Sequence, residues 1–384
     1  MKEPRSISEI DNQYLSFIAR KALNDDSVEV TSFDVAAEPF DFPRFGEKSF
    51  HDFSFSYDSA SGPGKSCVIL RVMPEMDAVM MLTGDTEHRE LKAFQTGLLA
   101  QIPDNFVIPY LHVIDDDEHK QYWAFLRDMR PQVEALGMHT KVSDETCRLI
   151  LSHLAEFHAK FWEKHSVIDQ PWLMSLDRPV NYFYRCVVDI LDGMEDPAES
   201  SVYITERWPW LAEGTCNLID SLPPSTAETV MRLYRNPQPL LDAVAPMPKT
   251  LCHYDFDNRN LSIEEGLGGT RTVVLDWETL GRGISASDVV RFTAYQQPDD
   301  LDASIGHYLD ALERNLSRTV DREEWRRGYD IGSVAEWQIR GVLFGVIVEA
   351  PSAPVPDEHR PAMRERVYAD IEAIEALAKK HALV

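Results

Sequence analysis

This 384-residue chain has little cysteine, and none of it is spaced to bind a metal. The five cysteines, at 67, 147, 186, 216 and 252, are odd in number and scattered, which excludes a cysteine-built metal centre and fits a reducing compartment. Long apolar runs are absent too. The longest strongly apolar stretch, 342–348, falls far short of the roughly 20 residues that a bilayer requires. The opening Met-Lys-Glu-Pro-Arg leads into an amphipathic pattern with no apolar signal core, so a cytoplasmic location is expected. Basic residues are the minority, 38 Lys and Arg against 64 Asp and Glu, giving a formal charge of −26 and a pI near 4.8. That balance argues against nonspecific binding to nucleic acid or to anionic membranes, both of which reward basic patches. It favours solubility, and an acidic surface can also steer cationic ligands. Tandem repeats and low-complexity tails are missing as well.

What the chain does have is concentrated in residues 251–278. The stretch reads Leu-Cys-His253-Tyr-Asp255-Phe-Asp257-Asn258-Arg259-Asn260-Leu, then the turn-rich Gly266-Leu-Gly268-Gly269, then Val273-Val-Leu-Asp276-Trp-Glu278. An aspartate followed five residues later by an asparagine suits a loop in which a carboxylate faces a hydroxyl while an amide reaches a metal ion. A second aspartate then arrives at the end of a short apolar strand. Phosphoryl transfer needs such a set: one carboxylate to accept or orient the nucleophile's proton, and oxygen ligands for Mg²⁺. Asp255, Asn260 and Asp276 supply it.

His253-x-Asp255-x-x-x-x-Asn260 followed by Val-Val-Leu-Asp276-Trp-Glu resembles the catalytic and metal-binding motifs of the aminoglycoside phosphotransferase and choline kinase superfamily, relatives of the protein kinases. The resemblance implies that Asp255 is the catalytic base, that Asn260 and Asp276 hold Mg²⁺, and that the glycine-rich turn is a hairpin between them. It also implies the fold: α+β, bilobal and protein-kinase-like, with an antiparallel N-terminal sheet and a larger, mostly helical C-terminal lobe. The expected division is a nucleotide-binding lobe over 1–128 and a catalytic, acceptor-binding lobe over 129–384. Arg259 stands where the family has glycine and resembles the catalytic loop of tyrosine kinases. It either neutralises charge on the transferred phosphoryl group or pairs with Asp257 or Asp255. Tyr254 replaces another glycine, which predicts a stiffer loop.

Upstream, apolar spacing predicts a helix over 8–23, then strands over 28–36, 49–57 and 66–72. The phosphate-covering loop of the family falls at 40–48, where only Gly46 lets the backbone approach phosphate and Arg44 and Lys48 offer charge instead. On the third strand the family's phosphate-binding lysine is replaced by Arg71. Period-two geometry puts Ile69 and Arg71 on one face, with Ile69 against the base and Arg71 toward the α- and β-phosphates. Glu90, on a helix predicted over 86–100, matches the glutamate that pairs with this cation, and strands are expected next over 107–114 and 121–126. Leu126-Arg-Asp128-Met129 resembles the hinge whose backbone reads the base edge, which does not separate ATP from GTP.

Beyond Pro131 the pattern turns helical. A helix over 143–164 carries Leu154, Phe157, His158, Phe161 and Trp162, with His158 expected in the core. Residues 169–249 contain three shorter helices, expected over 180–194, 202–210 and 227–234 with breaks at Pro223-Pro224 and over the prolines of 237–248, and Tyr182, Tyr184, Trp208 and Trp210 there serve either as core or as an aromatic wall for the acceptor. Asp288 resembles the family's structural aspartate, expected to brace the catalytic loop. Three helices follow, over 301–316, 323–348 and 359–382. Together these readings predict a phosphotransferase moving the γ-phosphoryl group of ATP or GTP, with Mg²⁺, to the hydroxyl of a small molecule. The arginine at 71 and the glycine-poor loop also fit a nucleotide-binding, pseudokinase-like regulatory module without transfer activity.

Overall fold

Three strands form where the sequence alternates: β1 (Glu29–Ala37), β2 (Ser49–Asp58) and β3 (Gly64–Met73). The computed structural model describes residues 2–37, 48–73, 75, 80, 83–116, 118–131, 133–136, 141–194, 202–266, 269–353 and 355–384. The phosphate-covering loop expected at 40–48 therefore lies outside the described residues, apart from Lys48. The chain divides into two units. The first is Met1–Met80, Thr86–Met138 and Asn258–Glu278; the second is Met81–Asp85, His139–Asp257 and Thr279–Val384.

In the first unit, helix α1 (Asn12–Leu23) starts where Asp11 accepts a hydrogen bond from Tyr14 N and stops at Asn24, which takes a left-handed conformation. Its apolar face, Tyr14, Leu15, Ile18 and Ala19, packs on Phe53, Phe55, Val68, Leu70, Trp123 and Phe125. Burying each of the Leu, Ile, Val and Phe side chains among these stabilises the unit by roughly 1.5–3 kcal/mol. The first sheet is antiparallel, in the order β1-β2-β3-β6-β5, with β5 at Tyr110–Asp116 and β6 at Gln121–Arg127. Because Val68 and Leu70 face α1, the alternate residues Ile69 and Arg71 fall on the opposite face, as expected.

The helix expected over 86–100 is shorter, α2 (Arg89–Gln95), followed by a single 3₁₀ turn at Leu99–Gln101. The run expected as one strand over 107–114 is two: β4 (Phe106–Val107) and β5 belong to different sheets. Pro109 lies between them and has no N–H to give a ladder. Strand β7 (Val133–Ala135) follows. The chain then leaves the unit, forming the short strands β8 (Met174–Ser175) and β9 (Thr250–Cys252), and returns as the hairpin β10 (Leu261–Gly266) and β11 (Gly269–Val274). Gly266 pairs with Gly269, whose φ of +106° only glycine adopts readily. The hairpin occupies the middle of a second sheet in the order β4-β11-β10-β7.

In the second unit, helix α3 (Asp144–Phe161) is capped by Ser143, which accepts from Thr146 N. It buries Leu151, Leu154, Phe157, His158 and Phe161. Helices Asp177–Leu191, Val202–Ser221 and Pro224–Arg235 follow, the second running well past the expected 202–210 with Pro209 inside it. A further helix, Gln238–Val244, forms where the prolines predicted a break; Pro237 and Pro239 are tolerated at its start. Strand β12 (Gly281–Gly283) joins β8 and β9 into a small sheet. Helix Ala286–Gln296 follows, and helices Leu301–Leu316, Arg322–Glu349 and Arg360–Lys380 complete the unit, these three close to their predicted bounds. Tyr184 and Trp208 are buried, so they belong to the core rather than to an exposed wall. None of the described helices is long and apolar enough to cross a membrane, and all five cysteines are free. The fold is the expected α+β type: an antiparallel N-terminal sheet in one unit and a larger, mostly helical second unit.

Candidate active site

In the first unit the cation on β3 is held from two sides. The Arg71 guanidinium pairs with Glu90, and its NH1 lies 3.7 Å from Asp276 Oδ1 and 3.4 Å from Glu278 Oε1. Tyr110 Oη adds a contact to NH2 at 3.4 Å. Both members of the Arg71–Glu90 pair are almost wholly buried. A buried pair that loses one partner strands a charge, so this arrangement fixes the arginine firmly.

A second cation joins the group. Lys48, just before β2, pairs with the same Glu278 oxygen that Arg71 NH1 approaches. Burial pushes the Glu278 carboxyl up, but the Lys48 ammonium and the Arg71 guanidinium outweigh it and bring it down to about 2. Arg89 donates from α2 to the Glu278 carbonyl oxygen.

Asn260 and Asp276 flank the same end of the hairpin in the chain. The register Leu261↔Val274 is extended by Leu275 N donating to Asn260 O at 2.9 Å. Asp276 then turns through a left-handed φ of +60°, a conformation aspartate tolerates better than most residues. Carboxylate oxygens of Glu90, Asp276 and Glu278 all lie within 4.8 Å of one another. Hard oxygen donors at this spacing suit Mg²⁺, although Glu90 already serves Arg71.

Four other residues singled out in the sequence, Ile69, Asp128, Met129 and Arg259, belong to this unit. Ile69 is half-buried, opposite Asp52 on β2 and Leu126 on β6. Asp128 accepts from Arg130 Nε at 2.8 Å. Met129 is buried with Val107 and Val273, and its carbonyl accepts from Val133 N. Arg259 is exposed.

Asp255 belongs to the second unit, three residues before the chain passes into the first at Asn258. Its Oδ1 takes a hydrogen bond from Arg291 NH2. Arg291 also donates through Nε to Asp257 Oδ2 at 3.0 Å and through NH1 to Glu336 Oε1 at 2.6 Å. Burial alone would make this guanidinium easier to deprotonate, but Asp255, Glu336 and Asp257 hold it well above the usual arginine range.

The loop carrying Asp255 is braced from the Ala286–Gln296 helix. Asp288 accepts from His253 N at 2.8 Å and from Tyr254 N at 2.7 Å, as the sequence led us to expect. His158 Nε2 lies 3.1 Å from Asp288 Oδ2 and its Nδ1 lies 2.8 Å from Tyr308 Oη. A carboxylate only accepts, so Nε2 carries a proton toward Asp288. Tyr254 sits at φ +62°, where the family has glycine, and its hydroxyl donates to Arg282 O at 2.9 Å. A Cβ on Gly283 would lie 2.2 Å from that hydroxyl oxygen, so the bulky tyrosine requires a glycine opposite it.

Residues 64–329 match the model of a family described as the phosphotransferase enzyme family, APH. The chain belongs to this family. No curated protein sequence matches it. Among solved structures, the chain is similar to choline kinase LicA from Streptococcus pneumoniae, at 12% identity over 94% of this chain and 99% of that one, TM-score 0.45. It is also similar to a choline/ethanolamine kinase family protein from Mesorhizobium loti, at 14% identity over 90% and 92% of the two chains, TM-score 0.45. A third similar structure is a microcompartment-associated aminopropanol kinase, at 13% identity over 96% and 98%, TM-score 0.48. Within the family match, the motif reading missed Arg291 and gave Glu278 no role. The signal for Glu278 was present, two residues beyond Asp276. That for Arg291 was its place on the helix opened by Asp288, one turn further on and on the same side.

Proposed function

We propose that this phosphotransferase-family chain is a small-molecule kinase that moves the γ-phosphoryl group of ATP or GTP to a hydroxyl of a small metabolite or antibiotic. The acceptor oxygen attacks the γ-phosphorus and the bond from that phosphorus to the bridging oxygen breaks. The nucleoside diphosphate leaves, and Asp255 accepts or orients the hydroxyl proton. Arg71, held by Glu90, serves the α- and β-phosphates, Ile69 lies against the base, and the backbone at Asp128 and Met129 reads its edge. Asn260 and Asp276 are the Mg²⁺ ligands, with Glu278 as a further carboxylate. When bound, Mg²⁺ supplies neutralisation of the phosphate oxygens. Arg259 neutralises charge on the transferring group. The acceleration comes from positioning and charge neutralisation.

The observation that carries this reading is the ion pair between Arg71 on the third strand and Glu90 on the following helix, with Asp276 at 3.7 Å from the same guanidinium. The test measures nucleoside diphosphate release from Mg·ATP and Mg·GTP with pooled hydroxylated metabolites. Release is expected with at least one pool, and Asp255→Ala is expected to abolish it while the thermal midpoint is retained. Undiminished release by that variant would refute the role of Asp255. Nucleotide binding with no release for any acceptor would favour a regulatory module instead.

A further inference from the structure

Two cations in the first unit converge on one atom. Lys48 Nζ pairs with Glu278 Oε1, and Arg71 NH1 approaches that oxygen at 3.4 Å. The sheet register explains the convergence. Phe50 lies directly opposite Arg71, and a side chain two residues before Phe50 emerges on the same face. Lys48 is folded inward, with 14% of its side chain exposed, whereas a lysine at the mouth of a loop ordinarily extends into water. Bringing two like charges to one oxygen is unfavourable unless an anion sits between them. Here the anion is a carboxylate from the segment just after the hairpin.

The two cations differ in chemistry. Arg71 is also held by Glu90, and its planar group is buried. Its Nε has no hydrogen-bond partner among the described residues, so one donor remains to be satisfied. Lys48 ends a flexible four-carbon stem, and its ammonium is a point charge that can swing between partners. The stretch before it contains a single glycine, Gly46, so close backbone approach to phosphate has little support there. Lys48 also lies before the family match at 64–329, so no family motif assigns it a role.

We propose that Lys48 and Glu278 form an exchangeable pair in which Lys48 binds the β- and γ-phosphates of the nucleoside triphosphate and Glu278 holds the lysine when no phosphate is present. This rests on the kinase reading above. Side-chain charge thereby supplies what a glycine-rich loop supplies with N–H groups. Glu278, released from the lysine, becomes available to a divalent cation.

The test uses the full chain and measures binding of ATP, GTP, adenosine and guanosine by calorimetry, with Mg²⁺ and with EDTA. Lys48→Gln is expected to weaken triphosphate binding at least tenfold and to leave nucleoside binding within twofold. Lys48→Arg restores it to within threefold. In EDTA, Glu278→Gln strengthens triphosphate binding at least threefold, because the lysine has lost its competitor, and that gain disappears in Lys48→Gln/Glu278→Gln. The double variant removes both members of the Lys48–Glu278 pair, so neither is left facing the other's absence, and Arg71 keeps Glu90; this keeps the comparison valid should Lys48→Gln alone unfold. Triphosphate binding unchanged in Lys48→Gln, or a Glu278→Gln gain that persists in the double variant, would overturn the exchange while leaving the kinase reading intact. A wild-type chain that binds neither triphosphate would overturn both.

Discussion

The guanidinium of Arg291 is bonded to the carboxylate of Asp255, and through its remaining nitrogens to Asp257 and Glu336. One cation therefore orients the proposed base and keeps three acidic groups together. Arg291→Met is expected to reduce turnover about 10–100-fold, the scale of a misplaced reacting group, and to lower stability by about 3–5 kcal/mol. Arg291→Lys should recover part of both losses. In Arg291→Lys the acid limb of the turnover profile should also move to higher pH, because a weaker cation contact favours the charged carboxylate less. A purely structural arginine would change the thermal midpoint and leave that limb in place.

Arg71 poses a separate question, since lysine is the usual residue of the family at this point of the third strand. Arg71→Met leaves Glu90 buried without its partner and is expected to cost about 3–5 kcal/mol in urea unfolding. Arg71→Lys keeps the charge but loses the fork that spans Glu90, Asp276 and Glu278. Nucleotide affinity in Arg71→Lys should fall roughly 3–30-fold, consistent with the loss of about one or two charge-assisted contacts. Affinity equal to wild type would mean that the arginine is interchangeable here.

Gly283 and Tyr254 should behave as a coupled pair. Gly283→Ala places a methyl group against the tyrosine ring and is expected to cost about 1–3 kcal/mol. Tyr254→Gly removes the obstacle and relieves the left-handed residue, so the double variant should be more stable than the sum of the two single changes by more than about 0.5 kcal/mol. Additive unfolding energies would rule out the steric link.

Acid should weaken the fold in two stages. Burial brings His112 down to about 4, helped by Lys21, and burial alone does the same for His153. These imidazoles stay neutral in the folded chain while the unfolded chain takes up protons near 6.5. Their contribution is therefore complete above pH 6.5 and is lost as pH falls toward 4. Glu278, depressed to about 2, adds a contribution that is present above about 4.5 and is lost below it. Thermal midpoints between pH 7.5 and 4 should fall, and less steeply in His112→Asn/His153→Asn. Equal slopes would show that other groups govern acid stability.

Local chemistry was legible in the sequence, and ion pairs between distant segments were not. The alternation of Phe53 and Phe55 with polar neighbours gave β2 to within one residue, and the helix start expected at Ser143 is its N-cap, whereas the first helix, expected from residue 8, starts only after Asp11. Asp288 could be read as a brace because its motif travels with the loop it supports. The Lys48–Glu278 pair spans 230 positions, and no periodicity in one segment reports a charge arriving from another. The split of 107–114 into two strands turned on Pro109, whose effect depends on which sheets its neighbours join. The Val202–Ser221 helix continued past Pro209 because it packs against the Arg322–Glu349 helix, a tertiary gain that local propensity does not contain.

The hairpin of β10 and β11 has a consequence for how the protein is made. Among the described residues, strands β4 and β7 pair only with that hairpin, which is encoded more than a hundred residues later. A nascent polypeptide released from the ribosome as far as residue 138 therefore has its first sheet complete and its second sheet missing both middle strands. At typical elongation rates this gap lasts roughly ten to thirty seconds. For that interval the N-terminal segment waits half-finished, with Val107 and Met129 lacking the Val273 they finally cover.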